Sequence, residues 1–441
     1  MTKSICVIGA GAAGLITAKH ALNENFKVDV FEQTGKVGGT WVYSDEIGCH
    51  SSMYKIMKTN LPKEAMHYQD NLFPDDLPSF MSHEHVLEYL ENFSRGIPIQ
   101  FNTTVVGVTR DGDWWKVSTR NSGVENESTY DAVLVCNGHY FEPLIPFENS
   151  QIFKGAFLHS HDYRKADAFA GKSVTIIGAG PSGIDICLQV SRVAENVNLI
   201  GNKAKYPNMP DNVSQLVKHV ETITETGVRT EDGEHIDSDV IIVCTGYAFK
   251  FPFLTSELLQ VSHNGQVVSP LYQHICHVDY PDSLIFIGIP LSTITFPLFE
   301  IQAKFAIALL RGRVLLPDKH AMMDFEKNRM KILSSPNQYH FLMNEQWDYM
   351  RELCKLGQFE EWSYLKTLER LFKFIIEQRG KNVVSLKAFL TFRRMKYLQM
   401  HRVVIVIQSA VRGFIQRRKH EKIPSSVIAI QAAYRGGDWM V

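Results

Sequence analysis

Two stretches of the chain carry the same succession of apolar and small residues. Ser4-Ile-Cys-Val-Ile8 is a short apolar run that ends in Gly9-x-Gly11-x-x-Gly14 and passes into an Ala- and Leu-rich helical pattern. Ser173-Val-Thr-Ile-Ile177 repeats it ahead of Gly178-x-Gly180-x-x-Gly183 and Ile184-Asp-Ile-Cys-Leu188. Each copy later gives a second apolar run stopping in glycine, Ala132-Val-Leu-Val-Cys-Asn-Gly138 and Val240-Ile-Ile-Val-Cys-Thr-Gly246. Unbroken apolar runs bounded by glycine and alternating with helical patterns predict parallel sheets covered on both faces. A third run, Ser283-Leu-Ile-Phe-Ile-Gly288, precedes a helical stretch over roughly 299–310, and residues 101–120, with Trp114-Trp115 as strand packing, read as a β-meander. From about 320 the pattern is helical and polar, and from 393 it is that of a basic helix.

This layout predicts an α/β fold of two Rossmann-type dinucleotide-binding domains, the second inserted in the first, followed by a helical basic tail. The divisions fall at 1–163 for the first part of the outer domain and 164–272 for the insert. Residues 273–390 are the return to the outer domain with a helical region, and 391–441 are the tail.

Composition supports folded cores: 45% of the 441 residues are apolar and 21% charged. The net charge of −1 conceals an asymmetry, because residues 393–441 hold ten Lys and Arg against Glu421 and Asp438, a local +8 that leaves −9 for the rest. Such a tail predicts a partner of its own. The start carries no secretory pattern and no run of about eighteen apolar residues occurs, so a transmembrane segment is not expected. Seven scattered cysteines without a C-x-x-C pair favour free thiols and a cytoplasmic location, and leave the four N-x-S/T sequons without meaning.

A G-x-G-x-x-G alone is weak, arising by chance in about one chain in seven of this length. Glu32, at the end of Val28-Asp-Val-Phe-Glu32 and eighteen residues past Gly14, strengthens the first, since an acid there accepts hydrogen bonds from ribose hydroxyls. The second fingerprint has no such acid. Its next strand, Val197-Asn-Leu-Ile-Gly201, runs into Asn202-Lys203-Ala204-Lys205, where lysines attract the 2′-phosphate of NADP. The absence of cysteines at C-x-x-C or C-x4-C spacing argues against a disulfide reductase. Ser82-His-Glu-His85 lacks a further ligand and reads as a helix start, so no metal site is expected, and no nucleic-acid module is visible.

Between the fingerprints, Phe153-Lys-Gly155-Ala-Phe-Leu-His159-Ser-His-Asp-Tyr163 resembles the F-x-G-x-x-x-H-x-x-x-[Y/F] signature of the flavin-containing monooxygenases. Val37-Gly-Gly-Thr-Trp41, Tyr54-Lys-Ile-Met-Lys-Thr59-Asn60, Cys244-Thr-Gly-Tyr247, Phe286-Ile-Gly-Ile-Pro290 and Phe296-Pro-Leu-Phe-Glu300-Ile-Gln302 extend the resemblance over about residues 3–320. The chain looks most like the short soluble insect, fungal and plant forms. Tyr163 stands where the related Baeyer-Villiger enzymes have Trp, which implies heteroatom oxygenation rather than ester formation.

The resemblance implies FAD, NADPH and O2, with a C4a-hydroperoxyflavin that N- or S-oxygenates small soft nucleophiles. For FAD it implies Gly9, Gly11, Ala12, Ala13, Gly14 and Glu32, then Gly39, Thr40 and Trp41, then Thr59, Asn60 and Leu61, with Val105 and Gln302. For NADPH it implies Gly178, Gly180, Pro181, Ser182, Gly183 and Asp185, with Asn202, Lys203 and Lys205. Asn60 is the residue assigned to catalysis, at the flavin edge, whereas His159 is expected to support the junction of the two domains. Two other readings stay open: an NADPH oxidase releasing H2O2, and an inactive flavoprotein-like scaffold that works through its tail. Alkaloid substrates are conceivable by likeness to the insect enzymes, and a homo-oligomer is left open.

In the tail, Ile407-Gln-Ser-Ala-Val-Arg412-Gly413-Phe-Ile-Gln-Arg417 matches the I-Q-x-x-x-R-G-x-x-x-R pattern of IQ motifs, which bind calmodulin or EF-hand light chains. Five fixed positions arise by chance on the order of once in 10⁴ such chains. Ile430-Gln-Ala-Ala-Tyr-Arg435-Gly436 begins the pattern again. Val403, Val404, Ile407, Val411 and Phe414 share one helical face, so 403–418 is the expected partner segment. A basic helix docked on the acidic body or on a membrane surface is the alternative.

Overall fold

The computed structural model describes residues 2–48, 51–202 and 205–381. Contacts divide the chain into Met1–Val384 and Ser385–Val441, and every strand and helix named here belongs to the first of these. Lys203 and the whole tail, with its partner segment 403–418, lie outside the described residues.

The chain begins with β1 (Ser4–Ile8), α1 (Ala12–Asn23) and β2 (Lys27–Phe31), followed by α2 (His83–Phe93) and β3 (Ile99–Gln100). The expected meander is there as β4 (Thr104–Asp111), β5 (Trp114–Asn121) and β6 (Val124–Tyr130), a three-stranded antiparallel sheet. Strand alternation turns Trp115 wholly inward while Trp114 stays half exposed. After β7 (Ala132–Val135) the chain enters a second sheet with β8 (Ala156–His159), β9 (Ser173–Ile177), α3 (Pro181–Val190), β10 (Asn196–Gly201) and β11 (Val213–Val217). A small antiparallel sheet, β12 (Val220–Ile223), β13 (Gly227–Thr230) and β14 (His235–Asp237), precedes β15 (Val240–Val243). The hairpin β16 (Gln260–Ser262) and β17 (Val267–Ser269) leads back to β18 (Leu271–Tyr272), β19 (Cys276–His277), β20 (Leu284–Phe286) and α4 (Thr295–Leu310). Three further helices complete the unit, α5 (Lys319–Ile332), α6 (Gln346–Leu356) and α7 (Leu365–Lys381).

The first sheet has the order β18-β19-β20-β7-β1-β2-β3, parallel from β20 to β3, and the second is β11-β10-β9-β15-β8, parallel throughout. β20 pairs with β7 across the whole second sheet in sequence, so one Rossmann-type unit is inserted in another, as the repeat predicted. In each sheet the glycine-ended strand is central, β1 between β2 and β7 and β9 between β10 and β15. Each glycine turn therefore sits at a point where the strand order reverses, the place where open α/β sheets bind ligands. The signature strand β8 pairs with β15 and belongs to the second sheet. Ser82 precedes α2, so the Ser82–His85 cluster is the helix start that its sequence indicates.

The turn at His340, between α5 and α6, closes on the edge of the first sheet through a buried imidazole pair. The Val268 N–H donates to His340 Nε2 (2.9 Å), so Nδ1 of His340 carries the proton and donates to His274 Nδ1 (3.0 Å). Burial holds both rings below the ordinary histidine range, His274 at about 3. Burial, and then the nearby His161, bring His159 to about 4.

These rings stay neutral in the folded chain, while the unfolded chain binds their protons from pH ~6.5 downward. Stability is therefore full above that pH and is lost as pH falls toward the folded values, by about 1.4 kcal/mol per pH unit for each histidine. The urea midpoint is expected to fall between pH 6.5 and 5; a flat midpoint there would show that the rings take up protons without unfolding.

Candidate active site

The two glycine turns are built alike. Gly9 has φ +101° and Gly178 has φ +108°, and a Cβ would lie 2.6 Å from the Cys136 carbonyl oxygen in one and 2.4 Å from that of Cys244 in the other. Gly14 and Gly183, in the first helical turn, press on the first glycine, so that a Cβ would lie 1.9 Å from Gly9 O and 1.8 Å from Gly178 O. Fold geometry thus demands the first and third glycines. It does not demand the middle ones: Gly11 and Gly180 have extended backbone, a Cβ on Gly180 meets nothing within 4 Å, and one on Gly11 makes ordinary contact with Gly39 Cα at 3.7 Å. What such a Cβ would fill is the space before the helix N-terminus. There the first-turn N–H groups of Ala12 and Ala13, and of Ser182 and Gly183, have no partner within the helix. Pro181 has no N–H to lose and is preorganised for the first helical position. Each turn thus fits a pyrophosphate.

Glu32 follows β2 and is buried. One carboxylate oxygen accepts from the Ala10 N–H (2.9 Å), and the other from the Thr34 N–H and hydroxyl (both 2.8 Å), which sets the acid beside the first glycine turn. The Gly38 N–H donates to Ala10 O, laying the turn of Gly39, Thr40 and Trp41 against the same loop. Fully buried Tyr68 donates its hydroxyl to Ala12 O (2.6 Å) and steadies the helix start. Val105 lies in the buried apolar cluster with Phe31 and Val135, behind this turn.

The 296–302 motif underpins the site. Gln302 has no exposure; its Oε1 accepts from the Gly288 N–H (2.9 Å) and its Nε2 donates to Tyr349 (2.8 Å), so its amide holds the 286–290 turn. Buried Glu300 accepts from the Gln69 N–H (2.7 Å) and pairs with His20 (3.2 Å) and Lys304 (3.1 Å), tying α1 and α4 to the 67–70 loop. Burial pushes its carboxyl up, but the His20 hydrogen bond and the Lys304 charge outweigh that and hold it below its usual range.

At the second turn, Asn202 and Lys205 are exposed beyond β10. The Tyr206 hydroxyl reaches Ala179 O (3.1 Å), and Gln215 grips Tyr206 by its N–H (2.7 Å) and carbonyl (2.8 Å). Asp185 Oδ2 accepts from the Tyr54 hydroxyl (2.5 Å) and from Gln189 Nε2 (3.1 Å).

A strap, residues 51–61, touches both halves. Ser51 donates to Thr40 O (3.3 Å), and the Lys55 N–H to Arg164 O (2.9 Å). Arg164 in turn donates to Ser51 O (3.3 Å) and Glu46 O (2.9 Å). Thr59 is buried, with its N–H on Met81 O (2.8 Å) and its hydroxyl accepting from the Met81 N–H (3.1 Å); Leu61 is buried too, and Asn60 between them is exposed. His159, at the end of β8, accepts the His161 N–H on Nδ1 (3.1 Å) and meets the Tyr247 ring edge-on at 5.1 Å. Neutral and buried, it packs on the loop that follows β15.

The model of the Flavin-binding monooxygenase-like family matches residues 2–206 and 211–361. The chain belongs to this family. Flavin-containing monooxygenase FMO GS-OX5 of Arabidopsis thaliana is 37% identical over 400 residues, 82% of this chain and 87% of the relative. Among solved structures, S-allyl-L-cysteine S-oxygenase from Allium sativum superposes with a TM-score of 0.78 at 33% identity, covering 88% of this chain and 95% of that one. Tmm from Pelagibacter sp. strain HTCC7211 gives 0.77 at 26% identity, with 87% and 92% covered. The IQ calmodulin-binding motif model matches residues 401–421. The protein is thus a flavin monooxygenase that binds flavin and NADP, with an IQ motif in its tail. No helix among the described residues is long and apolar enough to cross a membrane.

No motif shows what this monooxygenase does with Tyr54, Tyr68 and Glu300, because Asp185 lies 131 residues from Tyr54, Ala12 lies 56 from Tyr68, and Gln69 and His20 lie 231 and 280 from Glu300. The glycine geometry separates two substitutions. Gly180→Ala is expected to lower the unfolding free energy by no more than about 1 kcal/mol, the cost of exchanging a glycine N-cap for alanine, while raising the KM for NADPH about tenfold or more. Gly183→Ala is expected to cost about 1–3 kcal/mol of stability. Denaturant titration alongside NADPH-dependent flavin reduction checks both.

Proposed function

We propose that the protein is an FAD-containing, NADPH-dependent monooxygenase that N- or S-oxygenates small soft nucleophiles. The observation that carries this is the pair of matched glycine turns, each with a middle glycine that only a ligand requires, joined by a strap presenting Asn60. Bound flavin, reduced by NADPH, supplies activated oxygen; NADPH, H+, O2 and substrate become NADP+, oxygenated product and water.

The chain's own residues bind, orient and exclude water. First-turn N–H groups of α1 hold the FAD pyrophosphate, with Glu32 for ribose hydroxyls and the Gly39–Trp41 turn and Thr59–Leu61 alongside. Gln302 acts through the Gly288 turn, and Val105 from the core behind. The N-terminus of α3 serves the NADP pyrophosphate, with Asn202, Lys203 and Lys205 at the 2′-phosphate. Asn60 donates its amide at the reacting edge. Sulfur substrates gain weight from the Allium sativum S-oxygenase. Six free thiols among the described residues support a cytoplasmic setting.

With thioethers and tertiary amines, oxygenated product is expected to equal NADPH consumed, and peroxide equal to NADPH would refute oxygenation. Asn60→Asp is expected to abolish product, by about 100-fold or more, while NADPH oxidation persists as peroxide. An unaltered turnover would make Asn60 a loop residue.

The IQ match supports a calmodulin-type partner at 403–418. Calmodulin is expected to retain the wild-type chain and to lose Ile407→Ala/Arg412→Ala; no retention with or without Ca²⁺ would remove the partner.

A further inference from the structure

Tyr54 and Asp185 join parts of the chain that no motif connects. Tyr54 lies in the strap that begins beneath the Gly39–Trp41 turn and ends past Asn60, and Asp185 lies early in α3, the helix of the second glycine turn. The tyrosine hydroxyl donates to Asp185 Oδ2 at 2.5 Å. Gln189 Nε2 donates to the same oxygen, and Gln189 Oε1 accepts from the hydroxyl of Tyr163, the last signature residue, both at 3.1 Å. The Tyr54 and Tyr163 rings meet edge to face, 5.5 Å apart at 70°. The carboxylate that resemblance assigns to the cofactor thus gives Oδ2 to two protein donors, one of them from the flavin half.

At its far end the strap is tied to the first half, through Thr59 and Met81. Tyr54 is its side-chain tie to α3. Burial, then the charge of Asp185, raise the Tyr54 hydroxyl above its ordinary value, so it remains a donor at physiological pH. A hydrogen bond to an ionised acceptor is worth about tenfold in an equilibrium between tied and untied states.

We propose that Tyr54 and Asp185 are a positioning pair that fixes the strap carrying Asn60 against the NADP-binding half, and so keeps NADP+ seated while oxygen is transferred. This rests on the monooxygenase reading above. Losing the tie leaves flavin in place but loosens NADP+ and admits water, so that NADPH, H+ and O2 give NADP+ and H2O2 without oxygenating substrate.

The test uses the flavin-loaded full chain with Tyr54→Phe, Asp185→Asn and the double variant. Flavin content is expected to stay at the wild-type level. The NADP+ dissociation constant should rise about tenfold in Tyr54→Phe, peroxide per NADPH should rise several-fold, and the double variant should be no worse than the weaker single one. Tyr43→Phe, whose hydroxyl serves exposed Asp45 within the first half, should match wild type. Wild-type NADP+ affinity and coupling in Tyr54→Phe would overturn the proposal, as would a loss of thermal stability alone. If Tyr54→Phe does not fold, Asp185→Asn decides by the same readouts. A wild-type protein that yields peroxide equal to NADPH refutes oxygenation itself; the ratio of NADP+ affinities then still decides the pair.

Discussion

Two contacts between backbone and backbone govern the molecule: Gly14 on Gly9, and Gly183 on Gly178. In each, a helix start presses so closely on the end of a central strand that a Cβ would lie within 2 Å of a carbonyl oxygen. That closeness aims the helix N-terminus at the crevice where strand order reverses. The left-handed turn at Gly9 and Gly178 is a consequence, as is the abutment on Cys136 and Cys244, the equivalent residues after β7 and β15. Burial pushes both of those thiols up to about 12. They remain protonated packing groups beside the turns, which suits a protein whose redox chemistry resides in its cofactors.

With two such turns on separate sheets, the remaining problem is to bring them into register. Proton-transfer groups contribute little to the solution: His159, His274 and His340 are buried and neutral. What the chain supplies is a lattice of hydrogen bonds that cross between elements. Glu300 ties α1 to α4 and the 67–70 loop, Gln302 holds the Gly288 turn, and Arg164 and Asp185 hold the strap. Because an ionised group is costly to bury alone, each charge in this lattice is stable only when its donors and acceptors are all in place. Glu300 shows the balance: its partners outweigh the opposing effect of burial.

Much of this was legible in the residues. The apolar runs, the insertion of one Rossmann-type unit in the other, the meander and the helix opened by Ser82 all follow from local periodicity, because a buried parallel strand and a glycine turn leave signatures within about ten residues. Glu32 was legible for the same reason, by its spacing from Gly14. Tyr54, Tyr68 and Glu300 were not, since a hydrogen bond between residues 131 apart leaves no periodic trace in either segment. The resemblance named the motifs that contain Tyr54, Glu300 and Gln302 without saying what each holds. Gln302 is the instructive one, with both ends of its amide spent on Gly288 and Tyr349, so that its influence on a cofactor runs through the backbone it supports.

The middle glycines are informative for the opposite reason. A residue that the fold requires is explained by the fold, and its presence says little about ligands; Gly14 would be glycine in any protein with this helix and strand so close. Gly180 has an ordinary backbone conformation and empty space where a side chain would stand, so the protein gives no reason for it. Every residue type fits such a position sterically, and as the N-cap of α3 it would be served better by Ser, Asp or Asn than by Gly, so capping does not demand glycine either. Glycine at Gly180 therefore reports on something outside the polypeptide. A pyrophosphate drawn toward the first-turn N–H groups of α3 must occupy the volume that a Cβ would take. The same argument holds at Gly11 with less force, because Gly39 lies 3.7 Å from where its Cβ would be. Space left open at one turn and nearly open at the other is what two dinucleotides, rather than two structural turns, require.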